Sequence, residues 1–447
     1  MHEHVPTPRA VGQRSRPSRL AALVLCGVLL LSLCAAAVPQ AGTGHAFFPL
    51  DSGTMALGEG GELVKVFDAD DLVPGTRVLA DTPDSIRLAA EQRDWLASGT
   101  VPTVPELRSS TMVRDALLDL HVLSQPYGVA VAGWAPPWRY VWPRDSALVA
   151  TALARTGHLS DAERVLIFLE RVQPDNGIFA ARYRPEGTGV PDQRGPQTDS
   201  VGWVLWALHQ VTDTLPKAQQ RAFVERHRLL LDRSTAAARQ LVDNPRSLPP
   251  ASADYWETTQ RKLTLSTAAL LHAGLVSSAA LYAVLDDRDS QRSSAAVANR
   301  TAEAIHLAFA ARGYPRVVGG SPSSVDLGVS YLLPPFAKEA DASVAGVWRA
   351  SAAKMARPAG GLAPGGAWRR DGVSWNTATS SYAMTAAFVG PRALAVARLQ
   401  WLDQHQTALG SLPEKVLADG EPASVAPLAW ASASVIIAVD QLGSSGS

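Results

Sequence analysis

From about Ser109 to the end of the chain, apolar residues recur at helical spacing, with little of the strict alternation that marks a half-buried strand. The stretch RDSALVATALARTGHLSDAERVLIFLERVQ shows the unit. One apolar helix ends near Gly157, a brief turn follows, Ser160 and Glu163 stand in capping-box spacing, and a second helix begins. Helix, short turn, helix is a helical hairpin. Long segments rich in Gly, Pro and Trp interrupt this pattern at six places, and each leads into an apolar helix: GWAPPWRYVWPRD, NGIFAARYRPEGTGVPDQRGPQTD, NPRSLPPASADYWETTQRK, VVGGSPSSVDLGVSYLLPPF, APGGAWRRDGVSWNTATSS and ALGSLPEKVLADGEPASVAPLAWAS. Between them, paired helices join through short turns such as TDTLPK and LDDRDS. The pattern predicts an all-α chain, an (α/α)6 barrel of six helical hairpins over residues 109–441, with the six long loops gathered at one rim. Residues 47–108 read as an N-terminal extension whose strand-like pieces, ELVKVF and TRVLAD, lie between Gly, Pro and Asp clusters. Residues 442–447 read as a disordered tail.

Composition narrows the classes. The chain has 447 residues, 47% hydrophobic and 18% charged, with 41 basic and 41 acidic side chains. A balance of this kind gives no electrostatic footprint for nucleic acid. Arg9, Arg14, Arg16 and Arg19 precede the apolar run LAALVLCGVLLLSLCAAAV, residues 20–38, and small residues and Pro39 follow. This is the layout of a secretory signal over residues 1–46, and the run is nearly long enough to serve as a retained membrane anchor instead. Either way the remainder is expected outside the cytoplasm, secreted or tethered. Both cysteines, Cys26 and Cys34, fall within that run, so a mature chain starting near residue 40 has neither disulfides nor thiol chemistry.

The loops carry the candidate chemistry. Of 12 tryptophans, seven lie in them: Trp134, Trp138, Trp142, Trp256, Trp368, Trp375 and Trp430. Flat apolar faces with polar tips suit a hydroxylated ring whose C–H face stacks, which is a sugar. Acidic residues accompany them: Asp145, Asp199, Asp254, Glu257, Asp326, Asp371 and Glu414. Glycosidic cleavage requires two carboxyl groups flanking the scissile bond, one carrying a proton and one ionised. In ASADYWET, Asp254 and Glu257 read equally as helix-start residues. The flanking Tyr255 and Trp256 point to a desolvated Glu257 that keeps its proton and acts as general acid. Glu414, next to Lys415, reads as an ionised base or as a solvated loop residue. No HExxH, Gly-rich phosphate loop or GxSxG elbow is present in the sequence, so neither cofactor nor metal is expected.

Five of these motifs, in order over roughly residues 109–440, resemble those of the glucoamylase-like enzymes of glycoside hydrolase family 15. YVWPRDSALVATAL resembles the first catalytic loop, GPQTDSVGWVLWAL the glutamine and aspartate loop, and DYWE the general-acid loop. GSLPEKV with PLAWASA resembles the general-base loop and last inner helix, and VDLGVSYLLPPF is a looser match. The resemblance implies the (α/α)6 fold and inverting hydrolysis, with Glu257 as general acid and Glu414 as general base. It places Trp142, Arg144 and Asp145 at the terminal sugar, with Gln197, Asp199, Trp256 and Trp430 as further substrate-binding residues. Its expected partner is an oligosaccharide with a terminal α-linked glucose, acted on by a monomer. The sequence also departs from the family. Gln193 stands where a stacking Trp is expected, DGVSWNTATSS matches poorly, and Ala431 and Ser432 follow Trp430 where relatives carry a hydroxyl or histidine directly after it, a hydrogen-bond partner for the base. These departures keep two rivals open: a glycan-binding barrel without activity, and a polysaccharide lyase using Arg144, Arg194, Arg369 and Arg370 to neutralise a uronic acid.

Overall fold

Thirteen α-helices are present among the described residues, 48–444 of a computed structural model. In chain order they are α1 (Ser85–Ala97), α2 (Met112–Ser124), α3 (Pro143–Arg155), α4 (Leu159–Val172), α5 (Asp199–Thr214), α6 (Lys217–Arg226) and α7 (Arg228–Val242). Then follow α8 (Leu265–Val284), α9 (Arg288–Phe309), α10 (Ala342–Met355), α11 (Asn376–Val389), α12 (Arg392–Gln404) and α13 (Ala429–Ser444). The expected signal or anchor segment and both cysteines lie outside the described residues, as do the last three residues of the expected tail; its first three belong to α13.

Neighbour relations close the helices into a ring. Helix α3 packs on α5, α5 on α8, α8 on a short 3-10 helix (Leu327–Leu332), that on α11, α11 on α13, and α13 back on α3. A second layer surrounds them, with α4, α9, α10, α12 and α2 beside inner elements and α7 against both α5 and α8. The (α/α)6 barrel expected from the loop pattern is the observed architecture. The sequence explains the layering. Every residue from Pro143 to Ala154 of α3 is buried, and α13 is buried over nearly its whole length, as suits helices covered on all sides by others. Outer α4 instead buries only the stripe Ala162, Val165, Leu166, Phe168 and Leu169. Helix α8 is long and apolar enough to cross a membrane, yet it lies in the inner ring with most of its surface covered by protein.

Local signals set the helix starts. Pro143 supplies the pre-formed first turn of α3, Thr264 accepts the Thr267 N–H at the start of α8, and Asp287 and Asp341 cap α9 and α10. The capping box expected at Ser160 is absent: α4 begins at Leu159, which leaves Ser160 inside the first turn, too late to act as a cap. Gly202 is required where α5 crosses α8, because a Cβ there would stand 2.1 Å from the Leu270 carbonyl oxygen.

Two further readings need correction. The fourth long segment was expected to lead into an apolar inner helix. The inner element is instead the six-residue Leu327–Leu332 turn within the segment itself, halted by Pro334 and Pro335, and the following α10 belongs to the outer layer. In the extension, β1 (Thr54–Leu57) and β2 (Leu63–Val66) pair antiparallel with Thr54 opposite Val66, as ELVKVF suggested. TRVLAD forms only single bridges, Val78 to Leu57 and Leu79 to Leu72, and α1 follows it unforeseen.

The extension is joined to the barrel by buried polar contacts. The Arg77 guanidinium reaches the Asp119 carboxylate at 2.7 Å with both side chains buried, and Thr54 donates to the same oxygen. Leu50 bridges Ser424, the Asp51 N–H donates to the Ser424 carbonyl at 2.9 Å, and the Ser52 hydroxyl donates to the Ala426 carbonyl. These last contacts fall next to a three-stranded antiparallel sheet: β3 (Ser374–Trp375), β4 (Lys415–Val416) in the centre, and β5 (Pro422–Ala423).

Candidate active site

The segment DYWE is fixed from beneath by a buried arginine. Arg316 donates from Nη2 to Asp254 Oδ1 at 2.7 Å and from Nη1 to Asp326 Oδ2 at 2.5 Å, and all three side chains are almost fully buried. Remaining carboxylate capacity is used locally. Asp254 accepts from the Trp256 N–H and the Ser266 hydroxyl, and Asp326 accepts from the Tyr255 hydroxyl at 2.8 Å and the Gly328 N–H. The Trp256 ring lies on the Arg316 guanidinium, 3.6 Å from ring centre to carbon. Asp254 and Asp326 therefore hold the loop together and do not face the cavity. The helix-cap reading of Asp254 also fails, since α8 begins eight residues beyond Glu257 with Thr264 as its cap.

On this platform the chain turns sharply. The Glu257 N–H donates to the Asp254 carbonyl at 2.8 Å, and Glu257 adopts φ +54°, a left-handed conformation that a non-glycine residue holds only when its surroundings impose it. Its carboxylate meets three donors. Oε1 accepts from Gln197 Nε2 at 2.8 Å and, more distantly, from Arg144 Nη1 at 3.4 Å; Oε2 accepts from Arg194 Nη1 at 2.8 Å. Tyr255 and Trp256, expected to desolvate this group, line the cavity with it, while the Tyr255 hydroxyl donates to Asp326 and the Trp256 ring lies on Arg316.

Glu414 enters from the opposite part of the sequence, immediately before β4, and is 8% exposed. Oε1 accepts from the Trp138 indole N–H at 3.2 Å, and Oε2 from the Ser424 hydroxyl at 2.7 Å and Lys415 Nζ at 3.0 Å. The expectation of an ion pair with Lys415 thus has its geometry, and the solvated-loop reading does not. Lys415 is itself buried between the rings of Phe48 and Trp375, at 4.1 and 4.5 Å. The departure at Ala431 and Ser432 is compensated from elsewhere: Ser424 supplies a hydroxyl to the carboxylate.

Glu257 and Glu414 line one cavity of about 270 Å³. Six of the seven loop tryptophans line it with them: Trp138, Trp142, Trp256, Trp368, Trp375 and Trp430. Trp134 does not, and stacks on Arg139. Trp368 meets Trp256 and Trp375 edge to face, at 4.6 and 5.4 Å between centres, so the three form a continuous wall. The indole N–H groups of Trp142, Trp256, Trp368 and Trp375 are buried and have no partner among the described residues. Trp430 is fixed by a 3.0 Å bond to Ser381 and lies under the Arg144 guanidinium.

Arg144 and Asp145 also line the cavity, paired at 3.2 Å. Burial pushes the Asp145 carboxyl up, against the pull of Arg144. Gln197 and Asp199, expected at the sugar, are each 1% exposed and stand behind the wall. Gln197 connects Arg144 to Glu257. Asp199 has no hydrogen-bond partner for either carboxylate oxygen among the side chains, and burial pushes it up to about 7 despite nearby Arg144. Gln193 is exposed. Sequence reasoning passed over Arg316, Arg182 and Ser424. Arg182 and Arg194 share the second loop, and a concentration of arginines in a loop otherwise rich in Gly and Pro was the signal available.

No protein-family model matches the chain. It is similar to the isomaltose glucohydrolase of Kribbella flavida, 26% identical over 394 residues covering 75% of this chain and 97% of that protein. It is 30% identical over 132 residues to an uncharacterized glycosyl hydrolase of Methanocaldococcus jannaschii, a match that covers 28% of this chain and spans only 20% of that relative. Among solved structures, a glycosidase in complex with glucose superposes with a TM-score of 0.64 at 22% identity, over 76% of this chain and 98% of that one. The glucoamylase of Saccharomycopsis fibuligera superposes with a TM-score of 0.60 at 13% identity, over 79% and 99%. The ring of hairpins around an aromatic cavity is a six-hairpin barrel and shares its fold with these solved structures. The chain is thus similar in fold to a glucoamylase and in sequence to a glucohydrolase, in line with the motifs quoted above.

Proposed function

We propose that the chain is an exported, inverting glycoside hydrolase that removes a terminal α-linked glucosyl unit from a short oligosaccharide. The observation that carries this reading is the pair Glu257 and Glu414 in one tryptophan-lined cavity, each held by donors from different loops. A cavity this small suits the end of a saccharide better than a long polymer. The similarity to an isomaltose glucohydrolase supports glucose as the sugar. The export rests on the apolar run at residues 20–38.

In the proposed reaction the Glu257 proton passes to the glycosidic oxygen as the C1–O bond breaks. Water attacks C1 from the opposite face and gives its proton to Glu414, and the product is the β-anomer. Trp138, Ser424 and Lys415 all donate to Glu414 and orient it as the acceptor. Trp430 and Arg144 supply a stacked floor for the terminal ring. Proton NMR of the protein incubated with trehalose, maltotriose, isomaltotriose and mixed glycans tests this through the anomeric signals of fresh product. Initial β-glucose is the expected result. Glu257→Gln and Glu414→Gln are each expected to lower turnover at least about 100-fold with the fold unchanged by circular dichroism. One observation favours the rival binding protein, since both Glu257 oxygens are already engaged by Gln197, Arg144 and Arg194. Sugar binding without release from any glycan would select that reading.

A further inference from the structure

Arg194 reaches the one oxygen of Glu257 that Arg144 and Gln197 leave free. Nη1 donates to Oε2 at 2.8 Å, while Arg144 and Gln197 both address Oε1. The Arg194 side chain is 43% exposed, in contrast to Arg144 at 7%. Its loop has few fixed points: residues 193 to 196 are exposed, and Gly187 and Gly189 upstream adopt positive φ. A second partner stands beside it. Asp192 Oδ2 receives Arg194 Nε at 3.2 Å and is itself held by Arg182 at 2.5 Å, with the Arg182 guanidinium over the Tyr140 and Trp142 rings. The arginine therefore has an anchored acceptor to remain on if it leaves Glu257.

A general acid must present its proton to the leaving oxygen, and Oε2 is the oxygen on which Arg194 now donates. Proton, leaving group and guanidinium compete for one place. The charged groups acting on Glu257 are Arg144 and Arg194 in direct contact and Asp145 and Asp199 behind them. Only Arg194 among these is exposed enough to move aside without disturbing the buried wall.

We propose that Arg194 is the leaving-group contact of this site: its guanidinium hands Oε2 of Glu257 over to the glycosidic oxygen and takes up the hydroxyls of the departing sugar while Asp192 retains it. This rests on the reading of Glu257 as general acid. The contact acts on the second sugar and not on the first, so it sets selectivity between leaving groups.

The test compares the best disaccharide of the panel with α-glucosyl fluoride, whose leaving group carries no sugar and departs without a proton. Arg194→Ala is expected to raise KM for the disaccharide about tenfold, the value of one charge-assisted hydrogen bond, and to lower kcat/KM for the fluoride by a clearly smaller factor. Arg194→Lys, which keeps a cationic donor, is expected to recover part of the disaccharide affinity. Equal losses on both substrates would show a structural role for the loop and overturn the proposal. Unchanged kinetics on both, or faster disaccharide cleavage, would overturn it as well, the latter by showing a purely blocking arginine. Retained disaccharide hydrolysis in Glu257→Gln would instead remove the general-acid reading, so the two failures are distinguishable.

Discussion

Asp199 shows what the inner wall demands of one carboxyl group. It opens α5 with 1% exposure, neither oxygen has a hydrogen-bond partner among the side chains, and burial pushes it up to about 7. The folded chain thus keeps a proton that the unfolded chain has released above its ordinary value near 4. This group's contribution to stability is full below about pH 4 and is lost as pH rises through about 7. Asp199→Asn, neutral at every pH, is expected to gain on wild type across that interval. Thermal unfolding at pH 5 and pH 8 measures it: the melting temperature of the variant minus that of wild type should be larger at pH 8. An equal difference at both pH values would place the Asp199 titration outside this range. From sequence, the resemblance had Asp199 binding sugar. Its burial depends on Gln197, Arg144 and Glu257 meeting from three loops, and no local spacing reveals that meeting. Glu257 itself was legible because its aromatic neighbours are adjacent in sequence, although those neighbours serve the Arg316 cluster as well.

At the scale of elements, most of the ring was readable because inner helices such as α8 and α13 are nearly free of charged residues while outer ones such as α4 carry a single apolar stripe. The exception, Leu327–Leu332, looks apolar enough for an inner helix, and the two prolines that cut it short were read as loop residues. Helix α1 escaped notice because only Leu88, Ala89 and Gln92 of its thirteen residues are buried, too few to give a strong period. Where inner helices cross, backbone proximity replaces side-chain interdigitation. Gly202 on α5 faces the Leu270 carbonyl of α8, and Gly274 of α8 faces Gly202 in turn. Gly202→Ala places a methyl group where backbone already stands, with no flexible side chain to give way. A loss of about 1–3 kcal/mol in urea unfolding, the ordinary penalty for overpacking, is expected. Gly346→Ala in outer α10, where a Cβ would meet nothing, is the matched control and should leave stability within about 1 kcal/mol of wild type or raise it.

At the scale of the whole molecule, segments far apart in the chain meet beside Glu414. Leu50, Asp51 and Ser52 hold the Ser424–Ala426 segment, Ser424 donates to Glu414, and Phe48 covers the lysine that pairs with it. Removing residues 48–53 is therefore expected to reduce turnover at least about tenfold while sugar binding at Trp430 and Arg144 persists, as measured by kinetics beside tryptophan fluorescence titration. Turnover equal to wild type would show that the base needs no such brace. The same join bears on when the cavity is completed during synthesis. Glu257 is translated more than 150 residues before Glu414, and the helix that closes the ring, α13, follows both. A nascent chain holding every tryptophan but Trp430 still has an open ring. Cleavage competence is expected only once α13 closes the ring, and a proteolytic nick that frees the 48–53 segment or α13 is expected to lower turnover.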